Sequence, residues 1–105
     1  MDIEQLRKAR WGTHDTARAA IKHIQENWDA LSAEDKALLI SEYEWANRVA
    51  AKAIKSDKKH KHPDLDTDAD GITIHDIWVD ADQWMRKHID NATIQALHDR
   101  PWDQA

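Results

Sequence analysis

The sequence predicts an all-α protein: a small helical bundle with an N-terminal helical hairpin, an Asp-rich loop and a C-terminal helix. Three observations carry that expectation. Apolar residues return at steps of three and four over most of the chain. Only two glycines and two prolines interrupt 105 residues. The single β-branched run, at residues 72–79, has no second strand to pair with. A chain of this length is the size of one domain, so a single core over residues 1–105 is expected.

Ile3, Leu6, Ala17, Ala20, Ile21, Ile24, Trp28 and Leu31 keep the helical period. Gly12 interrupts them, and Thr13 is a suitable cap for a restart, which predicts a short helix followed by a longer one. Ser32-Ala33-Glu34-Asp35 then reads as an N-cap with an acid three residues on, close to a capping box. The helix after it carries a wide apolar stripe, from Leu38, Leu39 and Tyr43 through Trp45, Ala46, Val49 and Ala50 to Ile54. So short a connection at Leu31–Ser32 predicts an antiparallel hairpin over about residues 13–55.

The period fails over about residues 56–72, the predicted loop. Ile74, Ile77, Trp78, Ala81, Trp84, Met85 and Ile89 restore it and predict C-terminal helices over about residues 73–100. Thr73 or His75 caps the first of these; Asp90 or Thr93 restarts the last, and Pro101 ends it. With six Trp, no Phe and one Tyr, indoles must supply much of the buried area. Trp28, Trp45, Trp78 and Trp84 fall at core spacing, whereas Trp11 and Trp102 sit at helix breaks, as core-closing or interface residues.

Several classes of chemistry are disfavoured by composition. The chain has no cysteine, which removes disulfides, thiolate metal sites and cysteine nucleophiles. It has no run of eighteen apolar residues and no basic-then-apolar leader, so no membrane partner and a cytoplasmic location are expected. Two glycines cannot build a phosphate-cradling loop, and no nucleophile lies near a base and an orienting acid. The protein is therefore expected not to be an enzyme, with no catalytic residue.

Charge is divided unevenly. Residues 1–62 hold twelve Lys and Arg against ten Asp and Glu, and residues 63–105 hold three against ten, so a net charge of −5 splits into +2 and −7. Every acid after Pro63 is Asp, a poor helix former but a good cap, turn residue and ion ligand. Asp64, Asp80, Asp82 and Asp90 are the candidate acidic surface. Such a surface imitates a phosphate array and fits a basic groove on a protein partner. The leading expectation is a non-enzymatic interaction module, of the kind a small viral inhibitor or anti-defence protein (an anti-CRISPR, for example) would be, acting on a nucleic-acid-binding partner. Direct nucleic-acid binding is not expected, because the basic stretch Arg48–Lys61 lacks interleaved exposed aromatics. A further alternative is an assembly protein that forms a homodimer through the broad face near Tyr43 and Val49.

Asp66-Thr67-Asp68-Ala69-Asp70-Gly71, followed by Asp76, resembles the calcium loop of EF-hand and Excalibur-type proteins. In those loops alternate carboxylates converge on one ion as a glycine turns the backbone. The resemblance covers about a tenth of the chain and implies Asp66, Asp68, Asp70 and Asp76 as ligands of Ca2+, with no other cofactor. The chain departs from the family where a bidentate Glu closes the loop six residues beyond the glycine: that position is Ile77, and Asp76 falls one place early. Calcium binding is thus the second functional expectation. His60, His62 and His75 flank the loop, but the neighbouring lysines disfavour a cation there.

Overall fold

A computed structural model of the protein describes residues 1–59 and 61–99. Five α-helices are found in them: α1 Ile3–Ala9, α2 His14–Asn27, α3 Ala33–Ser56, α4 Ile74–Lys87 and α5 Asn91–Asp99. Short 3-10 turns at Trp28–Ala30 and Pro63–Leu65 lie before α3 and within the long loop. The predicted all-α bundle is the observed architecture.

The helix starts are set by side chains that satisfy the free backbone N–H groups of the first turn. Asp2 and Gln5 form a full capping box on α1. Thr13, Ser32 and Thr73 cap α2, α3 and α4 by accepting from the N–H three residues on. Asp90 accepts from both the N–H and the hydroxyl of Thr93, 2.8 Å each, and so fixes the start of α5. Thr73 also settles the β-branched run, because the chain turns helical immediately after it.

One cluster of buried residues joins α1 to α4, with Leu6, Ala17, Ile24, Leu39, Tyr43 and Trp78 among its members. Trp78 is fully buried against Tyr43, with ring centroids 4.6 Å apart, and the Tyr43 hydroxyl donates to the Leu6 carbonyl at 2.7 Å. At the other end Trp28 meets Trp84 edge-on at 5.5 Å and donates its indole N–H to the His88 carbonyl at 3.0 Å.

Connectivity and packing part company at α2 and α3. These helices are consecutive across the tight turn, but the main packing is of α2 on α4 and of α3 on α4 and α5. The predicted hairpin is therefore a corner with α4 laid across both arms. Tyr43 lies in the core, so it cannot belong to an exposed dimer face. Trp45, whose spacing suggested core, is 59% exposed. Trp11 is also largely exposed, and Trp102 lies outside the described residues. No helix among the described residues is long and apolar enough to cross a membrane.

Candidate interaction site

The segment between α3 and α4 is tied down at several points. Asp57 accepts from the N–H groups of Lys59 and Lys61 at 3.0 and 2.7 Å. The His62 ring accepts the Asp64 N–H at 3.0 Å and opens the 3-10 turn. That turn drives Asp64 into the protein, where it is 3% exposed. Arg10 meets it there: Nη1 to Oδ1 3.1 Å and Nη2 to Oδ2 2.7 Å. Arg10 Nε donates to Asn47 at 2.9 Å, and the His75 Nδ1–H lies 3.2 Å from Asp64 Oδ2. Burial alone raises the Asp64 pKa; the bonds and charge of Arg10, with the His75 bond, outweigh it and hold the carboxyl below its ordinary range. Asp64, expected on the acidic surface, is instead an internal strut, because an unpaired carboxylate cannot be buried cheaply and this one has a fork-shaped partner.

Beyond it the chain reverses sharply. Gly71 has φ +79°, the left-handed conformation a glycine adopts without strain. Asp68 Oδ1 accepts from the N–H groups of Asp70 and Ile72, both 2.9 Å, and its Oδ2 takes Arg18 of α2. The backbone bond from Ile72, then the Arg18 bond, lower the Asp68 pKa. His14 Nε2 donates to the Ile72 carbonyl at 3.0 Å, and Thr67 bridges Thr73 in antiparallel fashion. The reversal is thereby clamped to α2 from outside and by its own carboxylate from within.

These bonds sort the eight acids singled out by sequence. Asp64 is buried; Asp68 serves the turn; Asp82 Oδ2 accepts from Arg86 at 3.0 Å; Asp90 caps α5. The carboxylates of Asp66, Asp70, Asp76 and Asp80 are exposed and have no ion pair or hydrogen bond among the described residues. Asp76 and Asp80, one turn apart, lie on the outer face of α4. Ile72, on the returning arm of the reversal, is 40% exposed. Ile72 and Asp80 also line a groove of about 430 Å³ between α2 and α4, with Ile21, Ile77 and Trp84, and with the cations Arg18 and Lys22 on its α2 side.

Among the described residues no group of three or more His, Cys, Asp or Glu side chains is arranged to hold a metal ion. His60 lies outside the described residues; His62 and His75 are each engaged near Asp64.

Sequence reasoning missed Arg10. A signal existed: no acid lies three or four residues from it in either direction, so a buried Arg10 needs a partner from far along the chain. Compared with known protein families, with curated proteins and with solved structures, the chain shows no significant match.

Proposed function

We propose that the protein is a non-enzymatic interaction module that engages a basic surface of a protein partner through the rigid turn centred on Ile72. One observation supports this reading above the others: the carboxylates of Asp66, Asp70, Asp76 and Asp80, on and just after the turn, are exposed and have no ion pair or hydrogen bond among the described residues, and Ile72 is exposed within the same stretch. An exposed apolar side chain with unpaired acids near it in the chain suits a partner that offers a shallow apolar contact flanked by Lys and Arg. Because Asp68, Arg18 and His14 hold the turn in place, little ordering cost opposes binding. A nucleic-acid-binding groove has that character, and a small protein seated in it would act as a stoichiometric inhibitor, as viral anti-defence proteins do.

The test is titration of the isotope-labelled protein with a peptide of alternating Arg and Leu residues, followed by amide chemical shifts at two salt concentrations. Shifts should cluster at Gly71, Ile72, Asp76 and Asp80, shrink as salt rises, and vanish in Asp70→Asn/Asp76→Asn/Asp80→Asn. Shifts centred on other acids such as Glu4 or Glu34, or unchanged in the triple variant, would reject the reading.

A further inference from the structure

The outer face of α3 carries an apolar stripe that the bundle does not use. Trp45 and Val49, one turn apart, are 59% and 40% exposed, and the half-buried Leu38 extends the stripe two turns earlier. The buried side of the helix, Ala37, Leu39, Ile40, Tyr43, Ala46 and Ala50, faces the opposite way. An exposed indole is a costly surface residue for a soluble domain and a frequent interface anchor.

Trp45 falls at the midpoint of Ala33–Ser56. Charge is graded about that midpoint: Glu34 and Asp35 stand in the first turn, and Lys52 and Lys55, both exposed, stand near the end. Glu34, Lys52 and Lys55 have no ion-pair partner among the described residues. This gradient also complements the helix dipole, but the dipole does not require an indole at the centre. A helix of 24 residues, about 36 Å long, that is acidic at its start, basic at its end and apolar in the middle is self-complementary when laid antiparallel on a copy of itself. A parallel arrangement would set like charges together.

We infer that α3 pairs antiparallel with α3 of a second copy of this chain, Trp45 against Trp45 on a two-fold axis and Glu34 against Lys52 and Lys55 of the other copy. The surface is separate from the acidic turn of the proposed function. A single helix pair buries less than the roughly 800 Å² per partner of a standard interface, so the dimer is weak and forms at high micromolar concentration.

Sedimentation velocity of the full chain from about 10 µM to about 1 mM tests this, a range that brackets such an affinity. The sedimentation coefficient should climb from the monomer to the dimer value across the range. Trp45→Ala should hold the protein at the monomer value, with its helical circular dichroism retained. Glu34→Lys and Lys55→Glu should each weaken association several-fold, and the double variant should recover it, which no effect on the folded monomer would produce. Asp76→Asn/Asp80→Asn should leave it unchanged. A monomer at 1 mM, a dimer indifferent to Trp45→Ala, or charge reversals that add rather than cancel would overturn the inference.

Discussion

Arg10 and Asp64, 54 residues apart in sequence, form a two-pronged ion pair whose side chains are 1% and 4% exposed. The pair fastens the end of α1 to the 3-10 turn of the long loop. The guanidinium also sits 5.0 Å from the Trp11 ring and 5.8 Å from the Trp78 ring, so the same residue links the turn to the core indole.

Removing one partner should therefore cost more than removing both. Asp64→Ala or Arg10→Ala leaves a buried charge without its counterpart, a loss of about 3–5 kcal/mol. The joint replacement Arg10→Met/Asp64→Leu should recover much of that loss. Chemical denaturation of the three variants forms the double-mutant cycle; equal and additive losses would show that the pair is not coupled.

Acid should destabilise the fold in a defined direction. Asp64, Asp68 and Asp90 all have folded pKa values below the ordinary aspartate value. Their contribution is complete above about pH 4–5 and is lost as pH falls through the lowered values. Urea midpoints measured down to about pH 2.5 should drop in that acid range, with more protons bound by the unfolded chain. Asp90→Asn keeps a capping oxygen for Thr93 and should flatten the acid slope without unfolding α5. An unchanged slope would mean that Asp90 titrates no differently in the folded and unfolded chains.

Calcium added to chelator-treated protein should leave the melting temperature where it is. Asp68 already accepts three donors, and an ion would have to displace Arg18 and the N–H groups of Asp70 and Ile72. A clear rise in melting temperature with calcium would show instead that the turn opens and re-forms around the ion.

The two glycines should respond differently to alanine. At Gly71 a Cβ meets nothing within 4 Å, so the cost is the left-handed backbone alone, about 1–2 kcal/mol, and Asn should be better tolerated than Ala. At Gly12 a Cβ would stand 2.8 Å from Thr16 Cγ2 and 3.3 Å from the Ala9 carbonyl. The Thr16 Cβ stands at 2.9 Å as well, so Gly12→Ala should recover stability when combined with Thr16→Gly and much less with Thr16→Ser, which removes only the methyl. Melting temperatures of these variants decide it.

Tyr43→Phe should lose about 1 kcal/mol, the value of its bond to the Leu6 carbonyl, while the ring stays packed on Trp78. Tyr43→Ala should lose about 3–5 kcal/mol through the cavity it opens. Guanidinium denaturation, read from Trp fluorescence, separates the two.

The sequence by itself determined the helices and most of their starts. Thr13, Ser32, Thr73 and Asp90 act on N–H groups three residues away, and the apolar steps around Leu39, Trp78 and Met85 repeat within one turn; both are local rules. Tertiary structure alone decided which acids face water. Asp64 and Asp66 look alike in sequence, yet one is buried because Arg10 arrives from α1 and the other stays exposed because no cation among the described residues pairs with it. Asp68 likewise gains a partner that its place in the sequence does not show, when α2 brings Arg18 to it. Trp45 and Trp78 both sit on helical spacing, but Trp78 is buried against Tyr43 and no helix among the described residues covers Trp45. Periodicity reports that a helix has an apolar face, whereas burial depends on which helices pack there, and α4 rather than the neighbouring α2 is a main partner of α3.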